Sequence, residues 1–341
     1  MTLRVVADAN IADLDAYFGD VAELTQLDAR QLTAADLVAC DVLLVRSVTR
    51  VDEDLLHNTP VRAVASATSG IDHIDLDYLA SRDIFFCHAP GSNADSVVDY
   101  VFSALAACDN TLDKILADGS VGIVGCGQVG GRLLDRLQRM GVLCRIYDPF
   151  LQEQHAEHRC DLDAVLGCDV VCLHTPLTRQ GAFPTYHQLG DRELASLSED
   201  QLLINAGRGP TVDENALRSR LSRADAPKVV LDVWETEPHV SRDLLALAHL
   251  GSAHIAGYSL TGKRRATRML RNQLEEGVKG FSGFGAMDDS GTPTNLDIYR
   301  QTGETRADVL RRAIFQVYDV REDDKLLRES LPRANDAALA I

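Results

Sequence analysis

Short apolar runs alternate with polar and amphipathic stretches through the N-terminal part of the chain. Leu3–Ala7, Val42–Arg46, Arg62–Ser66 and Ile84–Cys87 read as strands, with helical pieces such as Asp36–Ala39 and Asp75–Ser81 between them. Alternation of this kind predicts a mostly parallel sheet covered on both faces. Val97–Cys108 then reads as a long helix whose apolar faces are too broad for a solvated surface, so burial between two lobes is expected. Ser92, Asn93 and Ser96 precede it as capping candidates.

A second alternating series follows. Val121–Val124, Val142–Tyr147, Asp169–His174, Gln201–Asn205, Lys228–Val233 and Ser252–Ile255 read as strands. Helical patterns fall at Val129–Met140, Asp191–Leu197, Asp213–Arg223 and Ser241–Leu247. This is the layout of a complete doubly wound domain. Arg264–Gly280 reads as a helix returning to the first lobe, and Gly277–Asn295, rich in Gly, Ser and Asp, as a linker. Leu296–Ile341 contains the amphipathic stretch Arg306–Val317 but is too small to bury a strong core alone. The expected boundaries are 1–95 with 261–284 for one lobe, 96–260 for the other, and 285–341 for a C-terminal segment.

Composition fits that picture. A chain of 341 residues suits two domains, and 45% hydrophobic with 25% charged residues is ordinary for globular proteins. The net charge of −17 repels phosphate backbones and excludes general nucleic-acid binding. The N-terminus carries Asp8, Asp13 and Asp15 instead of a basic start and apolar core, and no run approaches the roughly 18 apolar residues that span a bilayer. A cytoplasmic protein with no membrane partner is expected. The eight cysteines are scattered, mostly inside apolar runs, as small buried hydrophobes would be. His155, His158, Cys160, Cys168, Cys172 and His174 crowd together, but only Cys172 and His174 would share a strand face. Packing is the better reading, and no metal is expected.

Candidate chemistry begins at Gly125-Cys-Gly127-Gln-Val-Gly130, a G-x-G-x-x-G that follows a predicted strand and opens a predicted helix. In that context the first glycine permits the tight turn and the second lets backbone N–H groups approach a diphosphate. The third allows close helix–strand packing. The next strand ends at Asp148, whose carboxylate suits a ribose diol and repels a 2′-phosphate, so NAD is favoured over NADP. Beyond the loop, Arg208, Glu237 and His254 lie in segments at the ends of predicted strands, and strand C-termini line the ligand crevice of such sheets. Oxidation of a 2-hydroxy acid would use them. A neutral His254 takes the hydroxyl proton, Glu237 holds its tautomer, and the planar fork of Arg208 binds the carboxylate.

Together with Thr68-Ser-Gly70-Ile-Asp72-His-Ile-Asp75 and His174-Thr175-Pro176-Leu177, these segments resemble the D-isomer-specific 2-hydroxyacid dehydrogenase family from Leu3 to Gly280. Ala253 departs from it, standing where many members have proline before the histidine. Val45-Arg46-Ser47-Val48-Thr49, His254 to Lys263 and Val317-Tyr-Asp-Val-Arg-Glu-Asp-Asp324 resemble a branch whose C-terminal extension serves dimerisation.

The resemblance implies two doubly wound lobes, with a Rossmann NAD domain inserted in a flavodoxin-like substrate domain, and a homodimer built through the 285–341 segment. It implies a small phosphorylated hydroxy acid contacted by Ser47, Thr68 and Tyr258. Thr175, Ala206, Gly207, Asp232 and Gly257 would surround NAD with Gly125, Gly127, Gln128, Val129, Gly130 and Asp148. A doubly anionic substrate needs local cations, which Arg46, Arg208 and Lys263-Arg-Arg265 supply in this reading. The glycine loop and the trio leave two alternatives open. One is a dehydrogenase of 3-phosphoglycerate or hydroxypyruvate type; the other is an NAD-sensing interaction protein without turnover.

Overall fold

The computed structural model describes residues 3–20, 22–151, 153–279, 281 and 297–331. The chain divides into two compact units, Met1–Asn93 with Tyr258–Pro293, and Ala94–Gly257 with Thr294–Ile341.

The first unit opens with β1 (Leu3–Asp8), α1 (Leu14–Phe18), β2 (Ala22–Leu27), β3 (Val42–Val45), α2 (Glu53–Leu56), β4 (Ala63–Ser66), α3 (Leu76–Ser81) and β5 (Phe85–His88). All pairings are parallel, in the order β2-β1-β3-β4-β5. The side chains of β3 and β4 are buried at every position, which is why these strands read as uninterrupted apolar runs. Asp52 and Asp75 cap α2 and α3 by accepting from Leu55 N and Tyr78 N. The edge strand β2 escapes the sequence pattern because Glu23, Thr25 and Gln26 interrupt its apolar residues and only Ala22 is buried.

The second unit runs through α4 (Ala94–Ala107), α5 (Thr111–Ala117), β6 (Ser120–Val124), α6 (Gln128–Arg139), β7 (Leu143–Tyr147), α7 (Leu162–Leu166) and β8 (Val170–Leu173). It continues with α8 (Asp191–Ala195), β9 (Leu202–Asn205), α9 (Glu214–Leu221), β10 (Lys228–Leu231), α10 (Arg242–Leu247) and β11 (Leu250–Gly251). Its six parallel strands lie in the order β11-β10-β9-β8-β6-β7, so the winding reverses beside β6. Ligands bind beyond the strand C-termini at such a reversal. The chain then returns to the first unit with α11 (Leu260–Gly277), capped by Ser259 and packed on β4 and β5. Lys263, Arg264 and Arg265 therefore sit in the first turns of α11, which begins before the expected Arg264.

Two further helices, α12 (Arg306–Val317) and α13 (Val320–Ser330), rejoin the second unit. α12 packs on α4 and α5, and α13 packs on α4 and beside β11. Ala307 and Val320 enter the core around α4, and Leu327 enters the core on the other face of the sheet. The C-terminal segment thus builds on its own chain, and with α6 it supplies the cover that the broad apolar surface of α4 demands. Ser96 lies inside α4 and is no cap. The expected linker begins where α11 ends, and its residues 282–295 lie outside the described residues, as do 332–341 of the tail.

The expected strand Ser252–Ile255 is also corrected. Pairing stops at Gly251, because Ser252 Oγ and the Ile255 and Ala256 N–H groups turn inward to the buried Asp232 carboxylate, at 2.7, 2.7 and 2.9 Å. Close backbone approach fixes the glycine turn after β6 as well. A Cβ on Gly130 would stand 2.1 Å from the Gly125 carbonyl oxygen, and Gly125 has φ +88°. Gly130→Ala is therefore expected to destabilise the second unit by about 1–3 kcal/mol, read from the midpoint of urea unfolding.

Candidate active site

Three loops leave the C-terminal ends of neighbouring strands β9, β10 and β11, carrying Arg208, Glu237 and His254. Two glycines let the first loop lie directly on its neighbours. A Cβ on Gly207 would come 3.0 Å from the Leu173 carbonyl oxygen, and one on Gly209 would come 1.9 Å from that of Trp234. Between them, the Arg208 carbonyl oxygen accepts from Thr211 N, Thr211 Oγ1 and Asn205 Nδ2. The backbone of Arg208 is thus pinned, and its half-buried side chain folds back so that Nη1 donates to the Gly207 carbonyl at 2.9 Å.

Glu237 accepts from Trp234 N through Oε1 at 2.9 Å, and its Oε2 lies 2.8 Å from His254 Nδ1. A carboxylate can only accept, so Nδ1 carries the proton of the neutral ring and Nε2 is left as the base. The imidazole is 43% exposed. Burial pulls its pKa down, but the hydrogen bond and charge of Glu237, helped by Asp232, outweigh that and raise it above the ordinary value. The Arg208 charge stands near enough to oppose the rise. His254 has φ 54°, a left-handed conformation rarely held by a non-glycine residue without surrounding constraint. That constraint is the Asp232 carboxylate beneath the loop, together with the bond from His254 N to the Asp232 carbonyl at 2.7 Å. Asp232 is fully buried, and burial raises its own pKa.

The residues present fit a dinucleotide. Gly127 precedes α6 with no side-chain cap, and a Cβ there would meet nothing within 4 Å, so the helix N-terminus at Gln128 and Val129 is open to an anion. Asp148 is turned toward this loop, its Oδ2 accepting from Cys126 N and its Oδ1 from Phe150 N, both at 2.8 Å. At the end of β8, Thr175 Oγ1 and both ring nitrogens of His174 are buried without a partner. Thr175 Cγ2 and the His174 backbone lie beside the position a Gly125 Cβ would take. Burial pushes the His174 pKa down to about 4, keeping the ring neutral. Ala206 and Gly207 follow β9 directly, and Gly257 closes the loop after Ala256. Burial pushes the Cys126 thiol up to about 11, so any helix-dipole effect on it loses.

The first unit holds the remaining expected residues. Arg46 and Ser47 follow β3 at the point where the winding of that sheet reverses. Arg46 Nε donates to the buried Asp8 carboxylate at 2.6 Å, while Ser47 is exposed. The Thr68 hydroxyl donates to the Gly70 carbonyl at 2.7 Å and pairs with Ser66 Oγ, so its proton is already committed. Tyr258 is 66% exposed. The Lys263 ammonium lies 3.7 Å from its ring centroid and lowers the phenol pKa.

The chain is 41% identical over 333 residues to erythronate-4-phosphate dehydrogenase of Teredinibacter turnerae, covering 96% of this chain and 88% of that one. It is 44% identical over 334 residues to the enzyme of that name from Marinobacter nauticus, covering 96% and 86%. The chain belongs to the erythronate-4-phosphate dehydrogenase family. Within it, residues 106–256 match the NAD binding domain of D-isomer specific 2-hydroxyacid dehydrogenases. The fold is that of D-lactate dehydrogenase from Aquifex aeolicus, solved with NAD and lactic acid, at TM-score 0.70 and 22% identity over 82% of this chain and 96% of that one. Among the described residues no helix is long and apolar enough to cross a membrane.

One polar group near these loops left no sign in the sequence. His187 bridges two carboxylates, with Nε2 2.7 Å from Glu235 and Nδ1 3.4 Å from Asp213. Asp213 caps α9 just after the Arg208 loop, and Glu235 lies two residues before Glu237. These three residues are remote in sequence, and no local pattern marks them. They are the one His/Cys/Asp/Glu group among the described residues close enough to hold a metal. Each is already committed to hydrogen bonds within the group or to the α9 backbone.

The raised His254 pKa sets a pH dependence. Oxidation needs the neutral ring, so kcat/KM should fall as pH drops through a value above the ordinary 6.5. In Glu237→Gln the charge that raised the pKa is gone. The acid limb is expected to move to lower pH, with kcat reduced by about 10- to 100-fold across the profile. Steady-state rates from pH 5 to 9 check both.

Proposed function

We propose that this chain oxidises 4-phospho-D-erythronate to (R)-3-hydroxy-2-oxo-4-phosphooxybutanoate, with NAD as acceptor, as a step of pyridoxal 5′-phosphate biosynthesis. The observation that carries the chemistry is the 2.8 Å bond between Glu237 and His254 Nδ1, which leaves Nε2 basic beside the Arg208 charge. The identity of 41–44% to curated erythronate-4-phosphate dehydrogenases along nearly the whole chain supports the substrate.

NAD, when bound, accepts the hydrogen and electron pair that leave C2. Every other task falls to side chains. His254 Nε2 takes the proton of the C2 hydroxyl, and the positive ring that results is stabilised by Glu237, which stays ionised. Arg208 holds the substrate carboxylate through its planar fork and draws electron density toward the 2-oxygen as it becomes a carbonyl. The phosphate carries roughly −1.5 to −2 charges at neutral pH. Arg46 and Lys263 offset these charges locally in a chain whose net charge is −17. Arg46, Ser47, Thr68 and Tyr258 contact the substrate in this reading. The division of labour follows the expected domains, with 1–95 and 261–284 binding substrate and 96–260 binding NAD. A cytoplasmic homodimer is part of the proposal, formed through the 285–341 segment. Tyr299, Val317 and Leu326 are exposed apolar residues of that segment.

Turnover of 4-phosphoerythronate and 3-phosphoglycerate at equal NAD tests the assignment. Phosphoerythronate should be oxidised faster, and the reverse order would reject it. His254→Ala is expected to lower kcat by about 10²- to 10⁴-fold while NAD affinity, measured by fluorescence titration, stays within about twofold. No turnover of any 2-hydroxy acid by the intact chain would favour a sensor.

A further inference from the structure

The loop that carries His254 springs from β11, a strand of two residues at the edge of the sheet. An edge strand leaves one row of backbone groups without a sheet partner, and a strand this short has little else to hold it. Ser252 N points inward to the Leu231 carbonyl, so Gly251 N points outward. There it donates to Asp324 Oδ1 on α13 at 2.7 Å. Both oxygens of the Asp324 carboxylate also accept from Arg328 Nε, at 2.9 and 3.0 Å. The terminal nitrogens of Arg328 donate to the carbonyls of Leu245 and Ala248, at 2.9 and 3.1 Å. One ion pair, a single helical turn apart, therefore closes both the free edge of β11 and the C-terminal end of α10.

α13 is itself firmly seated. Ser103 Oγ on α4 donates to the Tyr318 carbonyl and accepts from Val320 N, both at 2.9 Å. Val320 is fully buried. Gly251 is also packed closely against one face of the sheet, since a Cβ there would lie 2.4 Å from Leu245 Cδ1 and 3.2 Å from the Trp234 ring. The loop is thus gripped at two places, by Asp324 at Gly251 and by Asp232 at Ser252, Ile255 and Ala256. His254 sits between the two grips in its left-handed conformation.

We propose that the Asp324–Arg328 pair of α13 is a positioning device for His254, by which the C-terminal extension acts on the chemistry of its own chain. Neither residue touches the reacting atoms; they fix the strand from which the base is presented. The inference rests on the reading of His254 as that base.

Asp324→Ala and Asp324→Asn, made in the full chain, test it. The alanine removes the acceptor, whereas asparagine keeps an oxygen for Gly251 N and loses only the charge facing Arg328. In Asp324→Ala, amide exchange across 251–256 should quicken by about tenfold while β6, β8 and β9 keep their protection. kcat should fall by about 10- to 100-fold, with KM for NAD within about twofold of the parent. Asp324→Asn should recover most of both effects. Wild-type exchange and kcat in the alanine variant would overturn the proposal. So would faster exchange spread evenly over the second unit, or a loss that asparagine does not rescue. If exchange at 251–256 responds as expected but the parent chain oxidises no 2-hydroxy acid, the coupling stands and the assigned activity falls.

Discussion

A single carboxylate determines what this site can do. Glu237 spends one oxygen on a backbone amide three residues earlier and the other on the His254 ring. The first bond makes the carboxylate a fixed point, and the second passes that fixity to the imidazole. A mobile glutamate would stabilise the charged ring equally well in any orientation. An anchored one selects the tautomer with Nε2 bare and aims it. The same bond keeps the ring pKa up against the pull of burial and the repulsion of Arg208. The raised pKa and the orientation of the ring thus have one origin.

Holding this ring in place requires the surrounding loops to be over-determined, because His254 occupies a backbone region that costs energy. The molecule meets this with hydrogen-bonded polar groups rather than with regular structure. Asp232 draws three donors out of what would have been strand, His187 ties the segment after Arg208 to the segment before Glu237, and Asp324 answers the outward amide of Gly251. Glycines at 207 and 209 let two backbones touch where any side chain would force them apart. Each device works at short range, and together they turn three strand ends into one rigid frame.

Electrostatics divide along similar lines. The chain as a whole is strongly acidic, which suits solubility and repels polyanions. Against that background a few cations stand at positions set by neighbours. Arg46 is held by a buried aspartate at the reversal of the first sheet, and Lys263 leans over Tyr258. In the proposed function, local placement of these cations and not net charge would recognise a small anion.

Much of this protein was legible before folding was considered. Parallel strands buried on both faces read as continuous apolar runs, and with β7, whose Leu143 and Arg145 are exposed, nine of the eleven strands among the described residues announced themselves closely. The glycine turn is legible because only residues without a side chain fit where strand, turn and helix meet at van der Waals distance. Arg208, Glu237 and His254 stood out because their segments lie at strand ends, where such sheets hold their chemistry. The polar edge strand β2 and the two-residue β11 left no clear pattern, β2 because only Ala22 is buried and β11 because it is too short to show a period. What the chain order could not reveal was which distant groups would meet. The bond from Asp324 to Gly251 joins residues 73 positions apart, and the His187 bridge gathers three separate loops. Such contacts arise only when packed helices and strands bring their ends together, because a hydrogen bond depends on separations of about 3 Å in space and not on spacing along the chain. Composition and periodicity thus determined the layers and the candidate chemistry, and the packed tertiary structure alone decided how firmly the base would be held.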